Sequence, residues 1–230
     1  MNENARAVIS ECWIIDNEAG VYVSPKASAR IEFCNFIANA HSGLLVSGTC
    51  EVRHSKFLRN QRNGIHIFGE GRLVARNNTC EGNTYAGIAL LDSAQGEVVG
   101  NTSRYNGYQG ITAQHRSRLV ARDNTCERNK ESGIALLGNA QGEIVGNTCR
   151  NNGIDGITAQ DQARLIARSN TYEQNEEAGI SLLDSAQGEI EGNRCVNNDY
   201  GIYIQKGSMR VTLQDNTVYG NRRDIYYPWW

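Results

Sequence analysis

Gly87–Gln109 reads GIALLDSAQGEVVGNTSRYNGYQ and Gly133–Asp155 reads GIALLGNAQGEIVGNTCRNNGID, identical at 16 of 23 positions. Outward from this pair, a glycine followed by an aliphatic residue recurs at Gly20, Gly43, Gly64, Gly87, Gly110, Gly133, Gly156, Gly179 and Gly201, in steps of 21 to 23. Two asparagine columns, Asn78 to Asn216 and Asn83 to Asn221, keep a step of 23 throughout. Such a period marks a stacked-repeat architecture. About ten units fill the 230 residues without a linker, which predicts one repeat domain over 1–230.

Numbered from its glycine as zero, each unit alternates. Positions +1 and +3 are apolar (Ile88 and Leu90, Ile111 and Ala113, Ile134 and Leu136), whereas +2 and +4 vary. A period of two over this length is a strand with one buried face. Further alternations span +9 to +12 and +15 to +17. Three short strands per unit, punctuated by Gly and Asn, predict a triangular coil; coils about 4.8 Å apart stack into an all-β parallel solenoid. Inward volume is shared within each coil. Leu90, Gly96 and Val98 alternate with Ala113, Leu119 and Ala121, so the full repeat is a doublet of 46 residues. Complementary filling of this kind is what close packing requires. The asparagine at +14 is expected to take left-handed backbone and to bond to its copies above and below.

Composition agrees. The 24 glycines would each cost a helix about 0.5–1 kcal/mol, which excludes a helix bundle. Evenly spread apolar residues argue against disorder. A net charge of −2 supplies no field for nucleic acid or an anionic membrane, and no apolar run reaches the roughly 18 residues of a membrane-spanning helix.

The pattern Gly-Ile-x-Leu, then Gly-Asn-Thr, then Asn-x-x-x-Gly-Ile resembles the right-handed parallel β-helix repeat family, over nearly the whole chain. That family includes pectate lyases, alginate epimerases and non-enzymatic recognition modules. The 46-residue doublet, with Gly71-Arg72 in one coil and Ala86-Gly87-Ile88 in the next, most resembles the β-helix of F-box and spindle-associated adaptor proteins. The resemblance implies a single-stranded right-handed β-helix of about ten coils and is nearly silent on function.

Cys80, Cys126, Cys149 and Cys195 share position +16 with Trp13, Phe36, Phe57, Ser103, Tyr172 and Val218, which makes +16 a packing slot rather than a metal or disulfide motif. Free thiols, and no secretory stretch over Met1–Arg6, favour a reducing, cytoplasmic setting; export with a removed signal is the alternative. Ala7-Val8-Ile9 reads as a second strand with no first strand before it, so this open coil is expected to self-associate or to continue a longer protein. The aromatic stretch Ile225–Trp230 is expected to close the last coil. Outward columns alternate coil by coil: Glu81, Arg104, Glu127, Arg150, Glu173 at +17, and Arg72, Gln95, Arg118, Gln141, Arg164, Gln187, Arg210 at +8. They read first as register-fixing faces and second as an anion-binding arginine track.

In enzymes of the resembled family, substrate lies across the first strand, which directs attention to +2, +4 and the turn position +5. A sugar lyase or hydrolase needs two carboxylates about 5–9 Å apart, or a Ca²⁺-binding carboxylate cluster with a base. His115, Asp161 and Asp184, all at +5, form the one constellation of suitable residue types and serve as fallback catalytic residues. The intervening strand offers only Ala, Thr, Leu and Gln, and the epimerases' Asp-Pro-His-Glu is absent. Neither a catalytic residue, a metal ligand nor a cofactor is therefore assigned. Phe68, Leu91, Leu137 and Leu183 at +4 are expected to point into solvent, with Gln114 and Gln160 between them, as an exposed apolar stripe. Tyr108 and Tyr203 lie nearby, suited to stacking on sugar rings. The reading is a non-catalytic binding or scaffold β-helix that takes a protein or a polysaccharide, not nucleic acid or membrane, along its first-strand face. The alternative is a polysaccharide-active lyase, hydrolase or epimerase using that face.

Overall fold

A computed structural model describes residues 4–208 and 210–227. In the coil that begins at Gly87, the first strand is Ile88–Leu90, the second Gln95–Val99 and the third Thr102–Arg104. Like strands pair in parallel with the coils on either side; Ile88 lies opposite Ile65 and Ile111. The result is three parallel sheets, each of ten strands among the described residues. The expected three-strand solenoid is the observed fold.

The chain turns between strands because one residue at each corner is left-handed. His115, Asp161 and Asp184 hold the first corner, Asp123 and Ser169 the second, Tyr105, Arg128 and Asn151 the third. A single residue at φ near +55 to +64° breaks the extended path, and Asp, Asn, His and Gly tolerate it best. The ladder asparagines themselves are not left-handed, contrary to expectation; the residue before each of them is. That shift aims the asparagine side chain inward beneath the corner. There the Asn124 amide donates to Val98 O at 2.8 Å and to Asn147 Oδ1 at 2.9 Å, and Asn147 Oδ1 also accepts the Asn124 backbone N–H. A second ladder of the same design, through Asn83, Asn106, Asn129 and Asn152, runs along the third corner.

The inward slots are filled as the repeat requires. A Cβ placed on Gly96 would lie 2.7 Å from Leu90 Cδ2, so the large residue at +3 occupies the space that the glycine at +9 leaves open. Phe36 and Phe57 stack at 4.6 Å in the +16 slot. Ile14, not Trp13, belongs to that slot: it pairs with Phe36, and Trp13 is 68% exposed. The first coil is one residue shorter, which slips the 23-residue count by one. All seven cysteines are free, including the neighbours Cys126 and Cys149. Outward, Arg104 pairs with Glu81 at 2.8 Å and Arg150 with Glu127 at 2.7 Å, as the +17 alternation predicts. Ile225 and Tyr226 lie in the last strand, Arg223–Tyr226; Pro228, Trp229 and Trp230, expected to help close that coil, lie outside the described residues. Among the described residues, no helix is long and apolar enough to cross a membrane.

Candidate functional site

The outer side of the first-strand sheet is a trough along the solenoid axis. Its floor is the +2 column, small and buried from Ala89 through Thr112, Ala135 and Thr158 to Ser181. Five coils at about 4.8 Å make this floor about 19 Å long. Larger side chains bound it: Phe68 stacks on Tyr22 and meets His66 at a tilt at one end, and Tyr203 packs on Tyr200 and Tyr226 at the other. One wall is the +4 column; the other is the turn that precedes each glycine. Over the coils of Gly133 to Gly201 the trough deepens into a groove of about 560 Å³.

The +4 residues Leu91, Gln114, Leu137, Gln160 and Leu183 form the first wall. The three leucines are half-buried, as is Phe68, rather than exposed as expected. Tyr108 lies on the opposite wall, 43% exposed, its ring parallel to Tyr85 at 5.1 Å. Tyr203 stands in the floor column where the groove closes.

His115, Asp161 and Asp184 lie at the first corner, outside the groove lining. Each engages a neighbouring coil through its side chain or backbone. Asp161 Oδ2 accepts the Gly138 N–H at 3.0 Å, Nδ1 of His115 accepts the Asp92 N–H at 3.3 Å, and the Asp184 N–H donates to Gln205 Oε1 at 2.9 Å. Their residue types follow from the left-handed backbone they occupy.

The acids that do line the groove were not singled out from the sequence. Asp155 precedes Gly156 and is 2% exposed. Its carboxylate accepts the Ala178 N–H at 2.9 Å and the Thr158 hydroxyl at 2.6 Å. Burial pushes its pKa up to about 6, against these hydrogen bonds. The Ser132 and Thr158 hydroxyls meet at 2.7 Å beside it. Glu131, hydrogen-bonded by the Gln109 amide, is also raised by burial, and Glu177 stands exposed on the same wall. The one signal in the sequence is that Asp155 is the acid in a column that otherwise runs Ala19, Ser42, Asn63, Ala86, Gln109, Ser132, Ala178 and Tyr200. No Lys, Arg or His lines this groove. At the other end of the trough, burial lowers His66 to about 4, with His41 nearby adding to the effect.

The groove therefore offers apolar leucine edges, tyrosine faces, amide and hydroxyl groups, and negative charge. It holds no Lys, Arg or His to neutralise a uronate carboxylate, and the Asp155 oxygens are already engaged by the protein. Among the described residues, no three His, Cys, Asp or Glu side chains converge as a metal site.

A family model described as the right handed beta helix region matches residues 1–141 and 105–227. Among curated proteins no sequence matches the chain. In solved structures, the fold is similar to the periplasmic alginate epimerase AlgG, with a TM-score of 0.65, 14% identity and coverage of 87% of this chain and 61% of that one. It is also similar to the Azotobacter vinelandii mannuronan C-5 epimerase AlgE4 A-module, with a TM-score of 0.62, 13% identity and coverage of 99% and 78%. The chain thus spans about three fifths of the AlgG structure's length. At these identities the likeness is one of fold.

Proposed function

Since the chain belongs to the right-handed β-helix family, whose coils present a continuous first-strand face, we propose that it binds a linear polysaccharide in the groove between Gln109 and Tyr203, without turning it over. The observation that carries this reading is the composition of the groove. A small buried floor is edged by Leu137 and Leu183, closed by tyrosine rings and lined by Gln109, Gln160 and Glu131. Apolar and aromatic surface with a few fixed polar groups suits the flat faces and edge hydroxyls of sugar rings. Three acids and no cationic side chain favour an uncharged polymer over a polyuronate. The likeness in fold to alginate epimerases supports a glycan ligand, and the lack of a cationic side chain to neutralise a uronate argues against their chemistry here.

The test is calorimetric titration of linear glucan, xylan and mannan oligosaccharides, with product analysis of the same mixtures. At least one neutral series is expected to bind. The substitution Leu137→Ser with Leu183→Ser should weaken binding tenfold or more, with a modest loss of stability because both side chains are half-buried. Failure of every neutral series to bind, or unchanged affinity in the variant, overturns the reading. Appearance of new chain ends overturns its non-catalytic part.

A further inference from the structure

The second-strand sheet carries an arginine row that its own acids leave free. On this sheet the arginines at +12 are neutralised by the following coil: Arg76 pairs with Glu97 and Arg122 with Glu143, both at 2.9 Å, and Arg168 with Glu189 at 3.2 Å. The arginines at +8 are treated differently. Arg72, Arg118, Arg164 and Arg210 are exposed, and among the described residues none of them has an acidic partner within ion-pair distance. Asp161, the corner acid three residues before Arg164, gives its Oδ2 to the Gly138 N–H instead. Register places Gln95, Gln141 and Gln187 between the arginines, so positive charge recurs every second coil. Arg118, Arg164 and Arg210 border a trough of about 540 Å³, separate from the first-strand groove; on its far side Val120 and Ile166 alternate with Glu143 and Glu189, the two acids already paired with Arg122 and Arg168.

We propose that this row binds a linear polyanionic glycan laid along the solenoid axis. The spacing carries the argument. Two coils advance about 9.6 Å, so the strand residues Arg72, Arg118 and Arg164 mark out roughly 19 Å of positive sites with amide groups between, and Arg210 follows them in left-handed backbone just before the last strand of this sheet. In an extended two-fold polyuronate, successive carboxylates point to opposite sides, so those facing one surface recur every second ring; the glutamines between them meet ring hydroxyls. Arginine pairs with carboxylates through two parallel hydrogen bonds, which rewards that match. An acidic β-strand presents same-side charges about 6.7 Å apart, so it misses the next arginine and only about every third charge meets one. A nucleic acid strand advances about 3.4 Å per phosphate and would leave most of its charges facing no arginine.

The probe is polygalacturonate oligomers, titrated at low and at physiological salt, with the carboxyl-reduced oligomers and single-stranded DNA as controls. Arg118→Gln with Arg164→Gln places in these coils the residue that neighbouring coils already carry, so folding is retained and is checked by melting. Polygalacturonate is expected to bind at low salt, the reduced oligomer tenfold or more weakly, and the double variant tenfold or more weakly again than the native chain. Absence of binding, unchanged affinity in the double variant, or equally tight binding of DNA overturns the proposal. Leu137→Ser with Leu183→Ser, on the other sheet, should leave polygalacturonate binding unchanged; a loss there would move the site to the first groove and likewise overturn the proposal.

Discussion

Asp155 shows how one side chain departs from a repeat that otherwise copies itself. At its column position the other residues are uncharged; an aspartate there gains the Ala178 N–H and the Thr158 hydroxyl but is lifted out of water. Because its folded pKa, about 6, lies above its ordinary value of 3.8, the folded state holds the extra proton between those values. Stability is then highest below about pH 4 as far as this group is concerned, and falls as pH rises through 6. Two pKa units correspond to roughly 3 kcal/mol at most. Asp155→Asn should remove this fall, so that native and variant proteins diverge in denaturant midpoint above pH 6 and converge towards pH 4. Parallel pH profiles would sink the assignment. Ser103 makes the complementary case: a hydroxyl in the +16 slot is tolerated because it donates to Gly110 O at 2.8 Å.

Within a coil, the glycine that opens each first strand is fixed by its neighbours rather than by its own torsion. A Cβ on Gly133 would come within 2.8 Å of both Cys149 Cβ and the Gly156 carbonyl oxygen, so the third strand of the same coil and the backbone of the next leave no room. Gly133→Ala should therefore cost roughly 1–3 kcal/mol through overpacking, read as a lowered urea midpoint with unchanged secondary structure. An unaffected midpoint would mean that the joint between coils yields freely. The asparagine ladders act at the same joint. Each amide serves a backbone carbonyl of the coil before and the asparagine of the coil after, so polar groups that turn inward at the corner are satisfied along the axis.

Across the whole molecule, every coil touches only its neighbours, so stability accumulates along the axis rather than around one central core. Because volume is balanced inside each coil and residue types alternate between coils, removing one doublet joins compatible surfaces. Excision of Gly110–Asp155 brings the Gly87 coil against the Gly156 coil with the Leu–Ala alternation preserved. The shortened chain is expected to fold, with β-sheet circular dichroism reduced in proportion to its length and a lower resistance to urea. Aggregation or loss of the β signal would show that the coils are not interchangeable.

The solenoid, its three strands per coil, the inward slots and the alternating charge columns were legible in the sequence, because each follows from a period that one strand face or one corner imposes locally. The sequence also carried the leucine and glutamine order of the +4 wall. Only the tertiary structure decided how deep that wall sits, that Asp155 and Glu131 line the groove, and that the +8 arginines are unpaired whereas the +12 arginines are not. Those properties depend on which side chains from different coils and turns lie within a few ångströms of one another. Distances across a groove, unlike spacing along a strand, leave no period in the chain to read.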